Sequence, residues 1–239
     1  MYKDIPGYIV FAFLLAFILT VRHIGQAIKE GAIKADFSSV NADRMVYRVY
    51  LFFIGWVAYV YTLTFTGIIA VNELPPRALL FFTLPLLLFY FLWLNKQPTF
   101  IKVIKAMPLK TLIRVHLFRF IAVFFLILWQ QNYLPKEWAW PAAIGDILTA
   151  LLSIPVSYYV LDKGRPVFLL YLWNFFGLID IVMVVVLAVV ITKQSMAPGS
   201  GLQNLLTLSR FPFVLVPAFA PATIMFLHYQ IFKRLRSDQ

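Results

Sequence analysis

Apolar runs long enough to cross a bilayer recur along the whole of this chain. The run WNFFGLIDIVMVVVLAVV at residues 173–190 shows the pattern. A stretch of about 18 mostly apolar residues spans the hydrocarbon core as a helix. Hydrocarbon offers the backbone no hydrogen-bond partner, so only helices or closed barrels can cross it. Barrel strands would alternate in polarity over about ten residues, whereas these runs are continuous. With 62% of residues hydrophobic, the chain also lies well above the roughly half-apolar composition of soluble domains. The reading is an all-α polytopic membrane protein, a single domain over residues 1–239 forming a seven-transmembrane-helix bundle. The predicted spans are about 5–21, 49–71, 78–94, 113–130, 142–161, 167–191 and 211–232. The loops between them hold no low-complexity linker.

Lysine and arginine are sorted between alternate loops, and that bias sets orientation. One side holds Arg22, Lys29, Lys34, Arg44 and Arg48, then Lys96, Lys102, Lys105, Lys110 and Arg114, then Lys163 and Arg165, and Lys233, Arg234 and Arg236 in the tail. The other side holds only Lys3, Arg77, Lys136 and Lys193. The expected topology has the N-terminus outside and the C-terminus in the cytoplasm, in a bacterial inner membrane. The net charge of +11 is thereby explained by topology, and no nucleic-acid partner is expected. MYKDIPG at the start is not clearly basic and no small-residue cleavage site follows the first apolar run, so that run reads as a retained helix. The chain has no cysteine, which excludes disulfides and thiolate chemistry. NELPP at 72–76 and NYLPK at 132–136 resemble each other, but Asn and Pro both suit tight turns, which explains the pair without duplication.

Ionisable residues inside the membrane are expensive and mark functional sites by default. At a rise of about 1.5 Å per residue, Asp180 lies roughly 20 Å from the cytoplasmic edge and Asp146 roughly 6 Å from the outer one. The two carboxylates can therefore share a level, and with Arg210 near the outer boundary they form the first candidate cluster. Arg119 sits near the inner edge, and helical side chains lean toward their own N-terminus. It is therefore expected away from Asp180, with Asn174 its nearest polar neighbour. Trp173 lies on the Asp180 face of its helix, and Gly177 between them leaves room. For each of these groups a structural role, as glue between helices, stands beside the functional one.

Asp146, Thr149, Ser153 and Ser157 fall within roughly 80° of arc on the fifth span at 100° per residue. Gly55, Tyr59, Thr62 and Thr66 make a similar stripe on the second, and the two facing one another would line a path. His23, His116 and His228, on three spans near one edge, are a candidate set of metal ligands. No H-x-x-x-H spacing supports them. Pro212, Pro217 and Pro221 crowd the last span, where each frees a carbonyl four residues earlier. PTFIKVIKAMPLKTLIR at 98–114 is basic and amphipathic and is expected to lie along the inner surface against anionic lipid headgroups. Trp138 and Trp140 read as interface anchors.

Seven spans with an outside N-terminus match the topology of rhodopsins and G-protein-coupled receptors. Residues 211–232 hold neither the Schiff-base lysine nor an N-P-x-x-Y run, so both functions are excluded. LPKEWAWPAAIGDILTALLSIP and FPFVLVPAFAPATIMFLHYQIFKRL, in the second half of the chain, resemble segments of uncharacterised bacterial multi-pass membrane proteins. That resemblance implies no reaction. It implies that Asp146, the last span's prolines and His228 belong to a recurring pattern. The expected function is binding or transport of a small solute or ion at Asp146 and Asp180. Protonation of Asp180 is the expected coupling step, since burial favours the neutral acid. A metal-dependent membrane enzyme using the three histidines and a non-catalytic scaffold are the alternatives. No cofactor is assigned, and the enzyme reading stays open as the less favoured one.

Overall fold

The computed structural model describes residues 5–164 and 166–237. Lys3 and Arg165, two of the basic residues counted above, lie outside the described residues. Among the described residues the regular structure is all helical, with no strand. Among the described residues, seven helices are long and apolar enough to cross a membrane: α1 (Gly7–Lys34), α2 (Ser39–Phe65), α3 (Leu79–Lys96), α5 (Leu109–Gln130), α6 (Lys136–Asp162), α7 (Phe168–Ser195) and α8 (Leu215–Arg236). A short helix, α4 (Pro98–Ala106), joins α3 to α5. Lys29 pairs with Asp43, Thr111 with Glu30 and Lys110 with Asp162, and Arg234 reaches the Lys105 carbonyl, so the α1–α2 turn, the α3–α5 connection, the end of α6 and the end of α8 lie at one end of the bundle, here called the basic end.

Hydropathy does not predict which helices are central. The most apolar, α7, is largely on the outside of the bundle, whereas α8, among the least apolar, is the most buried. Lipid is as apolar as leucine, so burial in a bundle follows packing and polar contact instead. α1 turns Ile9, Phe13, Phe17 and Thr20 inward at helical spacing. α2 is peripheral and buries only Ala42, Phe53, Val60 and Thr64. Gly55, Tyr59, Thr62 and Thr66 of α2 all lie exposed, so the expected pair of facing polar stripes does not form. A threonine on such a face satisfies itself on its own helix, as Thr66 does by donating to the Leu63 carbonyl at 2.6 Å.

Several helix ends differ from the sequence reading. Residues 22–34 and 39–48 are helical rather than loop, because α1 and α2 continue past the apolar runs as a hairpin. Ser38 starts α2 by accepting from the Asn41 amide at 3.3 Å. The basic segment 98–114 is divided in two. Pro108 cannot continue α4, so only Pro98–Ala106 forms the separate helix and Leu109 onward belongs to α5. α4 buries Val103 and Ile104 against α1, and Arg234 of α8 donates to the carbonyls of Ile104, Lys105 and Met107 at its C-terminus.

Prolines explain two contacts between helices. Pro221 removes the donor that would reach the Pro217 carbonyl, and Thr83 of α3 donates there instead. Pro85 likewise frees the Phe81 carbonyl, which accepts from the Tyr59 hydroxyl of α2 at 3.2 Å. The freed backbone groups thus join helices.

A candidate polar site at the centre of the bundle

The site is centred on Arg119, which sits in an unusual segment of α5. Residues Val115–Ala122 wind as a 3-10 helix between α-helical turns. Runs of 3-10 helix beyond three or four residues are uncommon. Three residues per turn stack side chains three apart in one file, here His116, Arg119 and Ala122. All three are fully buried.

Arg119 reaches three neighbouring helices. Its Nε donates to Asp146 Oδ1 of α6 at 2.5 Å. Its Nη2 pairs with Asp180 Oδ2 of α7. Its Nη1 donates to the Gly177 carbonyl at 3.2 Å and meets His228 Nε2 of α8 at 3.1 Å. A guanidinium only donates, so His228 Nε2 accepts and the proton of the ring lies on Nδ1. That nitrogen donates to Asn174 Oδ1 at 2.7 Å, and the Asn174 amide returns a bond to the His228 carbonyl at 3.1 Å. The tautomer and the amide orientation are mutually consistent. The guanidinium is fully buried, and the Asp146 and Asp180 side chains are 7% and 11% exposed.

Two glycines let the helices close on this network. A Cβ on Gly145 would collide with the Asp180 carboxylate. One on Gly177 would lie 2.6 Å from His228 Cε1 and 2.7 Å from Thr149 Cγ2. The room at Gly177 is therefore used by His228 and Thr149. Thr149 donates to the Gly145 carbonyl at 2.9 Å, and Trp173 Nε1 donates to the Thr149 carbonyl at 3.0 Å. Ser153 and Ser157 donate to Ala150 and Ile154 of their own helix. The α6 stripe of Asp146, Thr149, Ser153 and Ser157 is buried along its length.

Asp146 and Asp180 are brought together, but their partner is Arg119, not Arg210. Arg210 follows the short 3-10 turn Leu206–Ser209 and meets neither carboxylate. The expectation that Arg119 stays away from Asp180 is overturned for two reasons. α5 begins at Leu109 rather than 113, and 3-10 turns rise about 2 Å per residue. Together these carry Arg119 roughly 17 Å along its helix, level with Asp180 roughly 18 Å along α7. Asn174 does join the cluster, bridged through His228. The spacing of His116 and Arg119 by three, and the glycines beside Asp146 and one turn before Asp180, were signals in the sequence that could have found the site.

The three histidines do not converge. His116 and His228 pack with their rings tilted by 35° and centroids 4.2 Å apart, while His23 contacts the Arg114 carbonyl at 3.2 Å. Among the described residues, no group of three or more His, Cys, Asp or Glu side chains could hold a metal ion. His116 stands edge-on to Trp173 at 5.3 Å, and neither of its ring nitrogens has a hydrogen-bond partner.

A crevice of about 70 Å³ reaches Asp146 from the end opposite the basic one. Trp138 and Ile181 line its depth, and Asn72, Arg77 and Ser209 its mouth. A smaller void of about 20 Å³ lies beside Arg119 and Asp146 against Phe125.

No curated protein and no solved structure matches the chain. Residues 75–236 match the family described as Domain of unknown function (DUF8737). That stretch contains every residue of the Arg119 network, while α1 and α2 precede it. The chain belongs to the DUF8737 family.

Proposed function

We propose that this multi-pass membrane protein binds a proton or a small cation at Asp146 and Asp180 and moves it across a bacterial inner membrane. One observation carries the reading: a buried carboxylate, Asp146, and a mostly buried one, Asp180, share one guanidinium. With both acids ionised the cluster has a formal charge of −1. An uncompensated charge inside hydrocarbon costs several kcal/mol. A proton or a bound cation removes that charge, so the cluster is a site for one of them. The crevice that reaches Asp146 supplies an approach from the opposite end. The excess of lysine and arginine at the basic end supports a cytoplasmic location for that end, and on that reading the approach is from outside.

Infrared difference spectra of the purified protein test the proton reading. A protonated-carboxyl stretching band that shifts in D₂O is expected in the wild type and absent in Asp180→Asn. Proton flux into liposomes, followed with an internal pH dye, is expected to fall in both Asp146→Asn and Asp180→Asn. Flux equal to wild type in both variants would sink the proposal. A second reading is that the cluster only locks helices, and it is supported by the near-complete pairing of Arg119. It expects loss of thermal stability in these variants and no flux in the wild type.

A further inference from the structure

A cavity larger than the crevice at Asp146 lies apart from the polar site. It measures about 500 Å³ and lies toward the basic end, among α1, α2, α3, α4 and α8. Its volume falls in the range of small-molecule sites, about 300–1,000 Å³, and is far larger than the voids of a packed interior. It exists because α2 packs chiefly on α1 while α3 packs on α8, which leaves a gap between the two pairs. Phe52, Phe89 and Phe100 pack against the core yet remain only half-buried, and all three line this space.

The chemistry of the lining is polarised. In the depth of the cavity the polar groups already have partners: the Tyr90 hydroxyl pairs with Thr223 at 3.2 Å, and Gln230 donates to Asn95 at 3.0 Å. They make no demand on an occupant, so the depth suits hydrocarbon. The one charged residue on the lining is Arg48, which is exposed and immediately precedes the apolar stretch of α2 that begins at Val49. Arg48 therefore sits where the bilayer core ends, at the end of the protein richest in lysine and arginine. An apolar slot with a cation at its membrane-level mouth fits a molecule with an apolar tail and an anionic head.

We propose that this cavity holds one acyl chain of an anionic phospholipid, with the phosphate against Arg48. The site is separate from the Arg119 cluster and does not depend on the function proposed for it. The test uses the full chain reconstituted in vesicles of equal phosphatidylglycerol and phosphatidylcholine, extracted in mild detergent and weighed by native mass spectrometry. About one phosphatidylglycerol per chain is expected to survive extraction, in preference to phosphatidylcholine. Val49→Trp, which places an indole in the slot, is expected to abolish retention. Arg48→Gln, a surface change that leaves packing intact, is expected to weaken phosphatidylglycerol retention about fivefold and leave phosphatidylcholine unaffected. Equal retention of the two lipids, retention unchanged by both variants, or a fatty acid or isoprenoid found in place of the phospholipid would each overturn the proposal.

Discussion

Replacing Arg119 by methionine removes the only cation paired with either Asp146 or Asp180 among the described residues. Both carboxylates stay largely out of water, and His228 Nε2 and the Gly177 carbonyl also lose the Arg119 donor. Breaking a buried ion pair by removing one partner costs about 3–5 kcal/mol, chiefly the penalty of the charge left behind. For a chain of this size each kcal/mol moves the melting temperature by about 2–4 °C, so the loss is roughly 6–20 °C. The informative comparison is the triple variant Arg119→Met, Asp146→Asn, Asp180→Asn. It removes the stranded charges as well as their partner and is expected to recover at least half of the loss. Melting curves of purified protein in one detergent, followed by light scattering, measure all three proteins side by side. A triple variant no more stable than Arg119→Met would refute the charge argument. The loss would then lie in packing around the arginine stem.

Gly145→Ala thrusts a methyl group at the Asp180 carboxylate and is expected to cost about 1–3 kcal/mol, as overpacking does. Gly55→Ala, which meets nothing within 4 Å, is expected to stay within about 0.5 kcal/mol of wild type in the same melts. Thr83→Val leaves the Pro217 carbonyl without its partner and is expected to cost about 0.5–2 kcal/mol. In a Pro221→Ala background that carbonyl regains a backbone donor, so the cost of Thr83→Val should shrink; equal costs in both backgrounds would count against the proline account. Arg234→Gln uncaps α4, and hydrogen exchange at residues 104–107 is expected to quicken while exchange in the α6 core does not change.

The membrane helices were legible because apolar run length is a direct consequence of bilayer thickness. Their ends were not. Residues 22–34 are polar enough to read as loop, yet helix α1 continues through them because Gly25, Ala27, Gly31 and Ala32 let it pack closely. Asp146 and Asp180 were legible as a pair because charge in hydrocarbon is conspicuous. Their partner was not, because Arg119 reaches them only through a stretch of 3-10 helix, and nothing in VHLFRFIA announces the tighter winding. The inward stripe on α6 and the outward stripe on α2 look alike in sequence. What separates them is that Asp146 needs a counter-charge, whereas Thr62 and Thr66 do not.

The partners of Arg119 enter a growing chain in a fixed order: Asp146 on α6, Asp180 on α7 and His228 on α8. Helix α5 arrives first, carrying an arginine that costs about 2.5–3.5 kcal/mol at mid-membrane when it enters alone. The hairpin of α5 and α6, residues 109–162, is thus the smallest piece of the molecule in which that charge is balanced. Synthesis of α7 then tips the balance to −1, and α8 closes the network with a neutral imidazole. Biogenesis of this half of the protein is therefore stepwise in charge as well as in helices, and on the proposed function the insertion of α7 is the step at which a proton or cation is first taken up.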